Sequence, residues 1–241
     1  QGDLPFVYFL GHGDINHVIL LPGSVNECFE FGWKALDLAE HYQTPIFVLS
    51  DLDLGMNQWI TPKFAYPDRP IDRGKILWEE DLDRFGGQWG RYKDIDGDGI
   101  PYRTVMGNQN PAAAYFTRGT GHNEYGNYSE DPINWANMIR RIKKKLMNMC
   151  EVLPKPILRA KPDAKIGIIG WGSTDPALIE AQDMLEQAGV PVDYLRIRAL
   201  PSCKAVRDFI AAHDHTYVLE LNRDGQMCSI LKLEVSECSE K

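Results

Sequence analysis

From Lys165 to Leu233, short apolar runs alternate with capped helical stretches, and no other feature of the chain restricts its fold as strongly. Lys165–Gly170 reads as a strand. Asp175-Pro176 then supplies an N-cap acceptor and a proline in the first helical turn, where a missing amide hydrogen costs little. Gly189 ends that helix, because a left-handed cap favours glycine. Val192–Ile197 is the next strand, followed by a helix from Ser202 or Cys203 to His213. Tyr217–Glu220 is a third strand and Gly225–Leu233 a last helix. Strands alternating with helices pair in parallel through right-handed crossovers and carry helices on both faces. The fold class expected is therefore α/β, with a doubly wound parallel sheet over 163–241.

The first 55 residues carry a smaller set of the same signals. Phe6–Leu10 and Val18–Leu21 are apolar runs that read as two strands around a loop containing Gly11, Gly13, Asp14 and Asn16. Ser24 and Glu27 have the spacing of a capping box. Cys28, Phe31, Ala35, Leu38, Ala39 and Tyr42 then share one helical face. Pro45 stops the helix, and Ile46–Leu49 suits a buried parallel strand. This unit is too short to be a domain, so its remaining strands are expected upstream of Gln1 or from another chain.

Between Met56 and about Tyr128 periodicity fades into a stretch rich in Pro, Gly, Asp and Trp. Trp59, Phe64, Tyr66, Trp78, Trp89 and Tyr92 argue against disorder, so an ordered, irregular linker is expected. Asp131-Pro132 opens a helix to about Cys150, with Trp135, Met138, Ile139, Ile142, Leu146 and Met149 as its apolar stripe. Its basic run, Arg140, Arg141 and Lys143 to Lys145, is expected to be a solvated face favourable to the helix C-terminus, with phosphate binding as the lesser alternative. The division expected is 1–55, 56–162 and 163–241.

A formal net charge of -8 argues against nucleic acid as a general partner. No apolar run approaches the roughly 20 residues that a membrane-spanning helix needs. The chain opens without a methionine and without a signal-peptide pattern, for which truncation or processing is the expected reason. Five widely spaced cysteines, Cys28, Cys150, Cys203, Cys228 and Cys238, form no C-x-x-C pair and read as reduced structural thiols of a cytoplasmic protein.

Several motifs carry possible chemistry. Gly170–Thr174 joins a strand to a helix, where free amides can hold a phosphate, but a tight turn explains it as well. Asp94, Asp96, Asp98 and Gly99 match the first half of a calcium loop; Val105 stands where the bidentate glutamate belongs, which favours an acidic turn without metal. His12 in GHGD is a glycine-turn histidine, structural unless it contacts a ligand. Arg103 in IPYRTVMG is suited to clamp a carboxylate, and equally to pair with a nearby aspartate. His122 lies in the loop GTGHNEYGNYSED, where either a catalytic group or a rigid turn network fits. Nucleophile elbows, H-E-x-x-H and Walker sequences are missing, which removes the commonest hydrolases and NTPases.

Taken in order, GHGD, LLPGSVNECFEFGWKALDLAE, YQTPIFVLSDLDLG, IPYRTVMGN, RGTGHNEYGNYSEDP, KIGIIGWGST, RIRALP and ELNRDGQ resemble the alpha subunit of 2-oxoacid:ferredoxin oxidoreductases. The resemblance runs over nearly the whole chain and implies its C-terminal portion. Residues 1–55 are then similar to the tail of the pyrimidine-type thiamine diphosphate domain, and 163–241 to the C-terminal domain of transketolases.

The resemblance implies oxidative decarboxylation of a 2-oxoacid to an acyl-coenzyme A, with electrons passed to ferredoxin. It implies thiamine diphosphate with magnesium, shared with or held by a beta subunit that also carries a 4Fe–4S cluster, and coenzyme A as cosubstrate. The partners implied are that beta subunit, ferredoxin or a similar acceptor, and the missing N-terminal portion of the alpha chain. Arg103 lies where the family contacts the substrate carboxylate, and His122 is carried over with it as a substrate-binding residue. The family's upstream glutamate and its tyrosine–proline–isoleucine–threonine-like loop have no counterpart here. A non-catalytic assembly fragment and a calcium-binding module centred on Asp94–Asp98 are the alternatives.

Overall fold

A computed structural model describes residues 2–236 except 16, 87 and 118; Asn16, Arg118 and Cys238 therefore lie outside the described residues. Two compact units form: Gln1–Leu36, Pro45–Arg69 and Cys150–Lys241 make the first, and Asp37–Thr44 with Pro70–Met149 the second. These limits cut across the sequence positions 55 and 162.

The first unit holds two sheets. In the four-stranded one, β4 (Ile166–Trp171) lies between β5 (Val192–Ile197) and β7 (His215–Val218), parallel to both, and β3 (Ile157–Arg159) adds an antiparallel edge on β5. The alternating strand faces sort the core. Ile168, Val192 and Tyr194 pack with Leu178 of helix α6 (Asp175–Gln187). Ile169, Trp171, Leu195 and Ile197 join Val206 and Phe209 of α7 (Lys204–Ala212) and Met227, Ile230 and Leu231 of α8 (Gln226–Ser236). Helices thus supply the apolar partners of both sheet faces, as the alternation requires. The fold is mixed α/β with parallel strands.

The three-stranded sheet runs β2-β1-β6, with β1 at Val18–Leu20, β2 at Ile46–Val48 and β6 at Ala199–Leu200. β1 pairs in parallel with β2 and antiparallel with β6. One neighbour expected from outside the chain thus comes from its own residues 199–200. β2 is a half-buried edge strand rather than a buried one.

Phe6–Leu10 is not a strand. Leu4–Tyr8 forms a short helix, α1, with Pro5 in its first turn. Leu4, Val7 and Tyr8 recur at helical spacing and pack on the core, while the Tyr8 hydroxyl donates to Glu234 at 2.8 Å. A five-residue apolar run satisfies either period, and the partner decides.

Helix α2 (Val25–Tyr42) starts as predicted on the Ser24 hydroxyl, which accepts from the Glu27 amide at 3.2 Å. The Glu27 carboxylate, however, accepts from Gly23, one residue before the cap, at 2.8 Å. Its other oxygen meets Arg196 at 2.7 Å and Arg198 at 2.8 Å. Arg196 also reaches Asp175 at 3.3 Å, and Tyr194 donates to Asp175 at 2.8 Å. Burial and the Asp175 carboxylate hold the Tyr194 phenol far above the usual tyrosine range. The RIRALP and GSVNE segments therefore meet in a buried charge network. A Cβ at Gly23 would lie 1.9 Å from the Arg196 guanidinium, so a side chain there would have to displace that arginine from its carboxylates.

In the second unit the stretch expected as linker carries its own small core. Helix α4 (Glu79–Phe85) contributes Leu82, which packs with Leu77, Trp89 and Ala113; the last helix of this region, α5, spans Pro132–Val152. The Trp89 indole donates to the Ala112 carbonyl at 2.9 Å, so a bulky amphipathic ring is both buried and satisfied. Among the described residues no helix is long and apolar enough to cross a membrane.

Candidate functional site

In the second unit the structure brings His122 and Asp94 to one cleft of about 440 Å³, whose walls are α5, residues 92–94 and residues 122–124. His122 is buried and stacks on Tyr92, with ring centroids 3.9 Å apart. Its Nδ1 lies 3.0 Å from the Asn123 carbonyl, and its backbone bridges to Tyr128. The loop GTGHNEYGNYSED is thus a rigid turn network that presents an imidazole to a cleft. Arg140, Arg141 and Lys144 face the same space from α5, and Lys93 from the opposite segment.

The basic run of α5 is not one solvated face. Arg141 donates to the Gly99 carbonyl at 3.0 Å, and Lys145 to Gln43 at 3.2 Å and to the Thr44 hydroxyl. Burial lowers the Lys145 pKa to about 8, reinforced by the charges of Arg141 and Arg91. Burial and Arg91 likewise depress Arg141, against the pull of Asp94. Helix arithmetic contained this result: Lys145 lies three and seven residues on from Ile142 and Met138, on the apolar row.

The three aspartates do not converge on an open centre. The Lys75 ammonium lies 2.6 Å from Asp96 and 2.8 Å from Asp98, and donates to the Ile100 carbonyl at 3.1 Å. Asp94 instead accepts from the Gly99 amide at 3.0 Å. Burial works against the charge of Asp98, but hydrogen bonds from Lys75 and the Ile100 amide hold its carboxyl below the usual range. An ammonium thus takes the place of a cation at this turn. Gly99, at φ +85, packs backbone to backbone on α5: a Cβ would lie 2.6 Å from the Lys145 amide nitrogen.

Arg103 lies apart from the cleft. Its Nη2 pairs with Glu40 of α2, not with an aspartate, and donates to the Arg73 carbonyl at 3.1 Å. The Gly170–Thr174 turn in the first unit is also taken: the Ser173 amide donates to Asp51 at 2.7 Å, and the other Asp51 oxygen caps α3 (Leu52–Met56) through the Leu54 amide. His12 is exposed. Sequence reasoning gave no site role to Lys75 or Asp51 and read Tyr92 only as an ordering aromatic; their partners Asp96, Ser173 and His122 lie far along the chain. It also missed His17, a buried ring with no hydrogen-bond partner at either nitrogen.

No family model matches the chain. A 2-oxoacid:ferredoxin oxidoreductase subunit alpha of Aeropyrum pernix is 30% identical over 98% of the chain, and one of Saccharolobus solfataricus is 31% identical over 97%. The chain is a homologue of these alpha subunits. It spans 36% and 37% of their lengths, or little more than a third. Among solved structures, the 2-oxoglutarate:ferredoxin oxidoreductase from Magnetococcus marinus, with 2-oxoglutarate, coenzyme A and succinyl-CoA bound, is 28% identical to it. That match has a TM-score of 0.86 and covers 98% of this chain and 40% of that one. The homologues are oxidoreductases by name, and the likeness runs along nearly the whole chain.

Proposed function

We propose that the chain is a C-terminal segment of the alpha subunit of a thiamine diphosphate-dependent 2-oxoacid:ferredoxin oxidoreductase. With a beta subunit and the rest of the alpha chain, it would convert a 2-oxoacid and coenzyme A to acyl-CoA and carbon dioxide, passing electrons to ferredoxin. The observation that carries this reading is a fold match over 98% of the chain to an enzyme of that activity.

The residues present do not fit the cofactors themselves. Among the described residues no group of three His, Cys, Asp or Glu side chains is placed to hold a metal. The strand-to-helix turn Gly170–Thr174, whose free amides could hold a phosphate, already satisfies Asp51. The described cysteines, Cys28, Cys150, Cys203 and Cys228, are free. Thiamine diphosphate, magnesium and the iron–sulfur cluster are accordingly assigned to other parts of the assembly, and toward these groups the contribution of this segment is architectural.

The same logic bears on Arg103. Its Nη2 is held by Glu40 and the Arg73 carbonyl within its own unit, which favours an architectural role over a substrate clamp, although its buried Nε has no hydrogen-bond partner. In the assembled enzyme, Arg103→Ala then lowers thermal stability and leaves KM for the 2-oxoacid within about twofold; a KM raised tenfold or more restores the clamp. The proposal as a whole is tested by anaerobic co-purification from the native source, followed by an assay of coenzyme A-dependent ferredoxin reduction. A beta chain with that activity supports it, and a lone, inactive species refutes it.

A further inference from the structure

The cleft beside His122 concentrates positive charge in a chain whose net charge is -8. Lys93, Arg140, Arg141 and Lys144 line it, and among the described residues none of the four has a carboxylate as ion-pair partner. Their hydrogen bonds go to neutral oxygens instead: Lys93 to the Gln88 carbonyl, Arg140 to Asn137 and Arg141 to Gly99. Behind them, Arg91 has Nε and Nη1 buried without a hydrogen-bond partner, its guanidinium set against the Tyr92 and Tyr115 rings. Lys75 and Arg196, by contrast, sit directly against carboxylates. Like charges left together in a partly desolvated site repel, and an anion relieves them.

The geometry points to a site for a small molecule bound through a phosphate or diphosphate group. Three features select that class. The volume of about 440 Å³ is that of a small-molecule cleft rather than an extended groove. The guanidinium groups of Arg140 and Arg141 suit the tetrahedral oxygens of a phosphate, and amides of Asn123, Asn134 and Asn137 add neutral donors. Asp94, held by the Gly99 amide, and the exposed Glu124 also line the cleft; two carboxylates disfavour a long acidic peptide while leaving room for one compact group of concentrated charge. This inference is independent of the function proposed above, because it uses only residues of the second unit.

Isothermal titration of the full chain with inorganic pyrophosphate at low ionic strength tests it. Saturable one-to-one binding is expected. Replacing the two exposed cations together, Arg140→Gln with Lys144→Gln, should weaken it roughly tenfold or more, since charge-assisted bonds are lost. Lys204→Gln, which removes a surface cation paired with Asp208 on α7, should leave it unchanged. The proposal is overturned by any of four results: no saturable binding; equal affinity in the double variant; sulfate bound as tightly as pyrophosphate, which would mean an adventitious ion only; or poly-glutamate bound more tightly, which would mark an acidic protein partner.

Discussion

Replacing Arg196 by methionine should cost the fold about 3 kcal/mol, and the figure can be worked from its contacts. The Arg196 side chain is only 5% exposed and Glu27 only 10%, so neither charge can turn to water when the other is lost. The network is neutral as built, with Arg196 and Arg198 against Glu27 and Asp175. Methionine keeps much of the aliphatic stem but leaves one buried negative charge in excess. Removing one partner of a buried pair typically costs about 3–5 kcal/mol. The lower end applies here, because Glu27 keeps Arg198 at 2.8 Å and the Gly23 amide, and Asp175 keeps the Tyr194 hydroxyl. With a urea m-value of about 2–3 kcal/mol/M, the unfolding midpoint should fall by roughly 1–1.5 M. Far-UV circular dichroism of both proteins in urea measures this directly. A fall of less than about 0.3 M with unchanged m would show that the network is solvated, and the argument from burial would fail.

Asp51→Ala removes both the α3 cap and the acceptor of the Ser173 amide, so a loss of about 2 kcal/mol is expected by thermal unfolding, against about 1 for an ordinary cap. Lys145 gives a pH signature. Its pKa falls from 10.5 unfolded to about 8 folded, so the unfolded chain binds more protons between those values. Its penalty stands in full below pH 8 and is lifted as pH rises to 10.5, by up to about 3 kcal/mol. The stability of wild type relative to Lys145→Met should climb through that window; a flat difference contradicts the assigned burial. Lys75→Ala removes the ammonium from between Asp96 and Asp98. Calcium should then raise the melting temperature of the variant while leaving wild type unmoved, since only a ligand of the native state stabilises it.

How far the sequence reveals this structure depends on how local each determinant is. The parallel strands and α6 to α8 are legible because signals such as Pro176 in the first turn and the left-handed Gly189 act within a few residues. Asp175 is not the expected cap, however: α6 begins on it after Thr174, and its carboxylate serves Tyr194 and Arg196 instead. α1 misleads, because in LPFVY strand and helix periods coincide, and α4 is hidden, with only Leu82 and Phe85 apolar in seven residues. β3 and β6, three and two residues long, exist only through their pairing with β5 and β1. The site behaves the same way. His122 and Asp94 are visible as residue types, but their common cleft depends on α5. Arg103 was read beside nearby aspartates, yet its partner Glu40 lies 63 residues away. No spacing rule reaches that far.

The antiparallel seating of β6 on β1 has a consequence for birth on the ribosome. Ile19 is registered with Leu200, and Glu27 meets its arginines only at 196 and 198. At roughly 5–20 residues per second, the 180 residues between that first pair take about 10–40 s to synthesise. Through that interval β1 has β2 to pair with but keeps its other edge open, and a carboxylate destined for burial stays in water. Pairings so distant in sequence are slow to close. The nascent chain is thus long exposed to mispairing at that edge, where a chaperone that shields strand edges would act.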